Sequence, residues 1–317
     1  MESIIETKDL TKNFNGRDAV DGLTFEITKG EVFGFIGPNG AGKTTTLRML
    51  TTLLQPTDGE AWVGGYSVRE APREVRRLIG YMPDFFGVYN DMTVWEYLDF
   101  FCSCYQIPEK KRQGLIDDLL ELVDLEHRRG HFVEELSRGM KQRLSLARTL
   151  VHDPKVLILD EPASGLDPRA RVEIRELLLE LARMGKTIFF ATHILADVEH
   201  ISSKVGIIEA GKLIAVGSLE VLQNLMPVRQ QQMTILGSDE KAIEIISSLQ
   251  GVSNVTAKSG QRQENRTHLT FHFSGDDEAL NNVLTEAIAR GLRVVDFREG
   301  NHDLEQVFLS VTKGVVT

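Results

Sequence analysis

Cysteine is nearly absent from this chain: its 317 residues include two, Cys102 and Cys104. Two thiols cannot build a disulfide framework, and they fit a reducing cytosol. Spaced two apart, they also point to different faces of a helix and make no metal pair. No apolar run approaches the roughly 20 residues that a bilayer span needs. The start, Met1-Glu2-Ser3-Ile4, lacks the pattern of a secretory signal. Basic residues are in deficit, 36 Lys and Arg against 46 Asp and Glu, for a net charge of −10. That balance disfavours generic binding to nucleic acid or anionic lipid. What is present is ordinary for a globular protein, 42% hydrophobic and 26% charged residues. The length is comfortable for two domains and sufficient for a sizeable core.

The first part of the chain reads as alternating strands and helices. Leu23, Phe25 and Ile27 alternate as in a half-buried strand, and Val32-Phe33-Gly34-Phe35-Ile36 is a continuous apolar run suited to a buried one. A Gly-rich stretch follows, with a helix from about Lys43. Val156-Leu157-Ile158-Leu159 and Thr187-Ile188-Phe189-Phe190-Ala191 repeat the strand theme. Between them lies a helix with Asp167 as N-cap, Pro168 at the first helical position and Gly185 past the last turn. This order predicts an α/β core. Residues 93–151 break the pattern and read as wholly helical, opened by a Thr93/Glu96 capping box, with Trp95, Leu98, Cys102 and Tyr105 at helical spacing. A linker is expected at Met226-Pro227 and the polar Arg229-Gln230-Gln231-Gln232 stretch. Beyond it strands over 233–236, 252–258, 267–273 and 292–297 alternate with helices over 239–249 and 277–290. That order is βαββαβ, the split-βαβ plan of a small ferredoxin-like sandwich, with a polar turn at Ser259-Gly260 and a closing helix over 304–311.

The chemistry lies in the first part. Gly37-Pro38-Asn39-Gly40-Ala41-Gly42-Lys43-Thr44 fits G-x-x-x-x-G-K-[ST], after a buried strand and opening a helix. The glycines let backbone N–H groups close on phosphate oxygens, and the helix N-terminus adds partial positive charge. Lys43 would reach the β- and γ-phosphates, Thr44 would hold Mg²⁺, and Thr45 completes the phosphate-binding set. A buried strand ending in Asp160 places that carboxylate beside the loop as a Mg²⁺ partner. Glu161 is placed to orient the attacking water or accept its proton. The two halves together indicate a nucleoside triphosphatase. No Asn-Lys-x-Asp guanine reader is found, which removes the GTPase class. His268 and His272 share a strand face, and no pattern around them supports a metal site.

Leu136-Ser137-Arg138-Gly139-Met140-Lys141-Gln142-Arg143 specifies the kind. Here the chain closely resembles the nucleotide-binding subunits of ATP-binding cassette (ABC) transporters, whose signature is L-S-G-G-Q before a helix. Arg138 replaces the first glycine and Met140 the glutamine. Physically the segment opens a second helix, with Met140, Leu144, Ala147 and Val151 along one face. The resemblance covers roughly residues 3–225. It implies a P-loop NTPase core with an antiparallel β subdomain and a helical insertion at about 85–151, in a cassette of residues 1–225, with 230–317 as an accessory domain. It further implies that Phe14 stacks on adenine, Ser137 and Gly139 donate to the γ-phosphate, Ser164-Gly165-Leu166-Asp167 is the D-loop, and His193 is the γ-phosphate switch. Where the family has a glutamine, this chain has Asp84. Two readings stand: an altered Mg²⁺ sensor, or a turn residue without contact to the site.

In the family the phosphate loop and the signature serve opposite subunits. The resemblance therefore implies ATP and Mg²⁺ held between two chains, identical or paralogous, paired head to tail. A separate integral membrane permease is implied as well, with this chain on the cytoplasmic face of the membrane. The corresponding family surface receives a short helix from that permease, so an exposed apolar patch among Phe85, Phe86, Tyr89, Tyr97 and Phe100 would be a partner site, with Trp95 and Phe101 as core. The tail from Asp303 to Leu309 is similar to those of bacterial exporter ATPases and leans the reading to export. The alternative, a soluble ABC ATPase in translation or DNA repair, lacks the second cassette or long coiled coil usual there.

Overall fold

The computed structural model describes residues 2–85, 87, 91–223, 229–237, 239–259, 266–300 and 304–312. Phe86, Tyr89, Met226, Pro227, Gly260 and Asp303 lie outside them. The chain divides into two compact units, one running to Leu219 and one from Glu220 to Ser310.

In chain order, the first unit opens with β1 (Ser3–Phe14) and β2 (Arg17–Thr28), a hairpin in which inward positions of β2 such as Leu23, Phe25 and Ile27 are buried. β3 (Val32–Ile36) is buried at every position and leads through the Gly-rich loop into α1 (Lys43–Leu50). Next come β4 (Asp58–Val63), β5 (Tyr66–Ser67), α2 (Pro72–Leu78) and β6 (Ile79–Met82). The helical segment holds α3 (Val94–Cys104), α4 (Glu109–Leu122) and α5 (Arg138–Leu150). β7 (Val156–Asp160), α6 (Pro168–Arg183), β8 (Thr187–Thr192), α7 (Leu195–Ile201), β9 (Lys204–Glu209) and β10 (Lys212–Gly217) complete it, and α8 (Leu219–Gln223) follows at the boundary.

Two sheets result. One has the order β10-β9-β3-β8-β7-β6, parallel except for the β9/β10 hairpin; the other is antiparallel, β2-β1-β4-β5. The main core contains residues of both sheets and of α1, and Phe25, Phe33, Phe35 and Phe189 meet in it with ring centroids 5.4–6.5 Å apart. Each such buried ring contributes about 1.5–3 kcal/mol. Because β3, β7 and β8 are parallel neighbours, their C-terminal ends share one edge, where open α/β sheets bind ligands.

The 93–151 segment is built of helices joined by short turns, and an antiparallel bridge pairs Thr93 with Phe132. The Thr93/Glu96 capping box forms. Expectations for its aromatics are corrected in part. Tyr97 is fully buried, Trp95 and Phe101 are half-buried, and Tyr105 caps α3 and stacks on His152 at 4.0 Å. Cys102 is buried and Cys104 exposed, on different faces.

The second unit contains β11 (Arg229–Leu236), α9 (Asp239–Ser247), β12 (Val252–Ser259), β13 (Arg266–Phe273), α10 (Asp277–Ala289), β14 (Arg293–Gly300) and α11 (Leu304–Val311). Its sheet runs β12-β13-β11-β14, antiparallel throughout, over a core of Ile235, Ile246, Leu269, Phe271 and their neighbours. Here the polar stretch 229–232 is corrected from linker to strand. β11 is hydrogen-bonded on both edges, by β13 and β14, and Gln230 and Gln231 are 8% and 1% exposed. Pairing on two sides overrides the weak β preference of glutamine. His268 meets Thr234 and His272 meets Asn254, and no metal cluster occurs among the described residues.

Candidate functional site

The phosphate loop bends tightly from β3 to α1. Gly42 takes φ +105°, a left-handed conformation that suits glycine, and a Cβ at Gly37 would lie 2.2 Å from the Ile208 carbonyl. The Gly42 cap offers no side-chain acceptor to the first N–H groups of α1, so they stay free to bind an anion. Lys43 is 6% exposed, and its Nζ donates to the carbonyls of Gly37 (2.7 Å) and Pro38 (3.2 Å). It lies 3.7 Å from Glu161 Oε1. Burial pushes the Lys43 ammonium down, while Glu161 and Asp160 oppose that shift.

Asp160, the last residue of β7, is 1% exposed and accepts from Thr44 Oγ1 at 3.2 Å. Burial raises its carboxyl to about 6; Thr44 and Lys43 pull it down, and Glu161 and Asp84 add to the rise. A desolvated oxygen ligand beside a threonine hydroxyl and two more carboxylates suits a hard divalent cation that keeps most of its coordination for water and phosphate. Thr44, Asp160 and Asp84 therefore fit Mg²⁺. Glu161 is the one strained member, with φ +51° in a residue other than glycine, its N–H donating to Ala191 O at 2.8 Å. Strain of this kind persists where surrounding contacts over-determine it. Its Oε2 accepts from Thr192 Oγ1 (3.3 Å) and meets His193 Nδ1 at 2.9 Å.

A cleft of about 200 Å³ is lined by Ala19, the loop from Asn39 to Thr45, Asp84 and Glu161. Asp84 thus sits on the cleft wall. Ala19, on β2, carried no signal in the sequence. Phe14 stands 46% exposed at the end of β1, with Lys12 Nζ 5.2 Å from its ring centroid. Ser137 and Gly139 do not line the cleft. Ser137 caps α5, accepting from Met140 N at 3.3 Å, and Gly139 faces Ala170 of α6. Arg138 Nη2 donates to Ser164 O at 3.3 Å and its guanidinium covers Gly165, at φ +67°, where a Cβ would lie 2.5 Å from Cζ. Asp167 caps α6 through the N–H groups of Arg169 and Ala170, both at 3.0 Å. Gln142, buried, donates to Pro162 O at 2.6 Å and joins α5 to the same loop, a contact the sequence did not announce.

Phe85 is 87% exposed and Phe100 37%, so apolar surface is present on the segment after Asp84. No helix among the described residues is long and apolar enough to cross a membrane.

Comparison with known proteins gives consistent matches. The family described as ABC transporter matches residues 20–164. The linearmycin resistance ATP-binding protein LnrL of Bacillus subtilis (strain 168) is 30% identical over 310 residues, 98% of each chain. The bacitracin transport ATP-binding protein BcrA of Bacillus licheniformis is 42% identical over 215 residues, 68% of this chain and 69% of its own. Among solved structures, an ATP-binding subunit of an ABC transporter superposes with a TM-score of 0.64 at 31% identity, covering 70% of this chain and 92% of that one.

Proposed function

The chain belongs to the ABC transporter family, as an ATP-binding and ATP-hydrolysing subunit of the exporter type, and from that premise we propose how its residues work. The observation that carries the reading is the meeting of Lys43, Thr44, Asp160 and Glu161 at one sheet edge, with Ser137 and Gly139 outside their cleft. A cleft with the hydrolytic groups and without the signature calls for a second chain.

ATP binds with its phosphates against the N–H groups of residues 39–45, and Lys43 exchanges its carbonyl partners for phosphate oxygens. Phe14 stacks on the adenine. Thr44, Asp160 and Asp84 would hold Mg²⁺, which would supply positive charge to offset that of the phosphates. Glu161 orients the attacking water and takes its proton, and His193 steadies Glu161 and faces the γ-phosphate. Ser137 and Gly139 of the partner subunit close the site, so ATP holds two chains head to tail and hydrolysis releases them. That cycle drives a separate integral membrane permease from its cytoplasmic side. The exposed Phe85 and Phe100 support docking at that surface. Residues 1–225 form the working cassette, with 230–317 as an accessory domain. Relatives named for antibiotic resistance and transport favour export over a role in translation or repair. No nucleic acid is required.

The test is Glu161→Gln: ATP affinity is retained and turnover falls by about 10²-fold or more. Turnover equal to the parent would remove Glu161 from this role.

A further inference from the structure

We propose that Asp197 is a positioning residue that ties the His193 turn to the 164–167 loop through the guanidinium groups of Arg171 and Arg175. The inference rests on the ATPase reading above and extends it to residues outside the cleft.

Asp197 lies on α7, one helical turn after His193, and is 3% exposed. Neither of its carboxylate oxygens accepts a hydrogen bond among the described residues. An isolated buried carboxylate costs several kcal/mol, so this one needs a countercharge. α6 supplies two. Arg175 Nη1 lies 3.8 Å from Asp197 Oδ1, on a side chain 18% exposed. Arg171, one turn earlier on α6, has a buried Nε without a partner and donates through Nη2 to Leu166 O at 3.5 Å. Burial pushes the Asp197 carboxyl up; Arg171, Arg175 and His200 draw it down, and Glu161 adds to the rise. Glu161 is thus within electrostatic range of the same cluster.

Leu166 of the 164–167 loop accepts from Arg171, Arg175 one turn later on α6 pairs with Asp197, and four residues before Asp197 stands His193, which meets Glu161. Arg171 acts on Asp197 through its charge. A buried charged pair with loose geometry adds little net stability compared with an apolar replacement. What it does supply is register, because a buried carboxylate tolerates few positions relative to two fixed cations. Asp197 accordingly fixes where α7 starts against α6. That sets the imidazole of His193 relative to Glu161 on one side and the 164–167 loop on the other. Misplacement of about 1 Å away from the reacting atoms can cost ~10²-fold in rate.

The experiment compares Asp197→Asn, Asp197→Glu and Arg171→Gln in the full chain, with steady-state ATP hydrolysis, affinity for a fluorescent ATP analogue and thermal unfolding. Asp197→Asn is expected to lower kcat by about 10-fold. KM and analogue affinity should change by less than about two-fold, and the unfolding temperature should stay above the assay temperature, so that the loss of rate is read on a folded chain. Asp197→Glu, which keeps the charge, recovers part of the rate, and Arg171→Gln lowers kcat as Asp197→Asn does. An Asn variant with the parent's kcat would overturn the inference. So would a rate loss that tracks a fall in unfolding temperature and is not rescued by Glu. A parent chain without ATP turnover would overturn the ATPase reading together with this one, whereas parent turnover with an unaffected Asn variant overturns this inference alone.

Discussion

Asp160 is the carboxylate on which stability and function pull in opposite directions. Its pKa is raised from 3.8 to about 6 by burial. A carboxyl raised on folding stabilises the native state while protonated, so its contribution is full below pH 3.8 and is lost as pH rises through about 6. The shift of about two units is worth ~3 kcal/mol against the folded chain at pH 7.5. Part of that penalty is already removed at pH 5, where it stands near ~1.5 kcal/mol. Asp160→Asn keeps an oxygen to accept from Thr44 and removes the charge. The variant should therefore be more stable than its parent by up to ~3 kcal/mol at pH 7.5 in a metal-chelating buffer without nucleotide. Its advantage should shrink by about half at pH 5. ATP hydrolysis should be lost at both. Urea unfolding at the two pH values, with a hydrolysis assay alongside, measures this. An Asn variant less stable than its parent at pH 7.5, or an advantage unchanged at pH 5, would refute the claim that burial of Asp160 dominates.

Two further outcomes follow from the site. Asp84 lines the cleft and contributes to the rise at Asp160, so Asp84→Gln should move the Mg²⁺ concentration for half-maximal hydrolysis, read from metal titrations at fixed ATP; superimposable curves would make Asp84 a wall residue. Gly165→Ala forces a side chain into a left-handed conformation and against the Arg138 guanidinium, and should cost ~1–2 kcal/mol in chemical unfolding. Arg138→Ala should relieve part of it, so the double variant is destabilised by less than the sum of the singles.

The site was legible where its signals are local. The phosphate loop, the Asp167 cap and the Thr93/Glu96 box each lie within a few residues, and backbone chemistry fixes what such spacings do. Strands flanked by helices were legible for the same reason, since Val156 to Leu159 must be buried on both faces. What failed to show was long-range. The 229–232 stretch reads as linker by composition, and only partners some 40 and 70 residues away in sequence make it a central strand. Tyr97 and Trp95 are two residues apart, and no local rule ranks one as core over the other. Arg171, Arg175 and Asp197 look like solvated charges on two helices until those helices are packed together. Gln142 gives no hint in sequence that it holds Pro162.

The central claim is that triphosphate is shared between the loop of one copy and the capped α5 of another. The most direct measurement is the solution mass of Glu161→Gln with excess ATP and Mg²⁺, by light scattering on size-exclusion fractions, with Ser137→Arg in the same background as control. The account predicts twice the chain mass of 35.5 kDa with ATP, the chain mass without it, and no ATP-dependent doubling for the control. A variant that binds ATP yet stays at the single-chain mass, alone and beside any paralogous cassette, would contradict it.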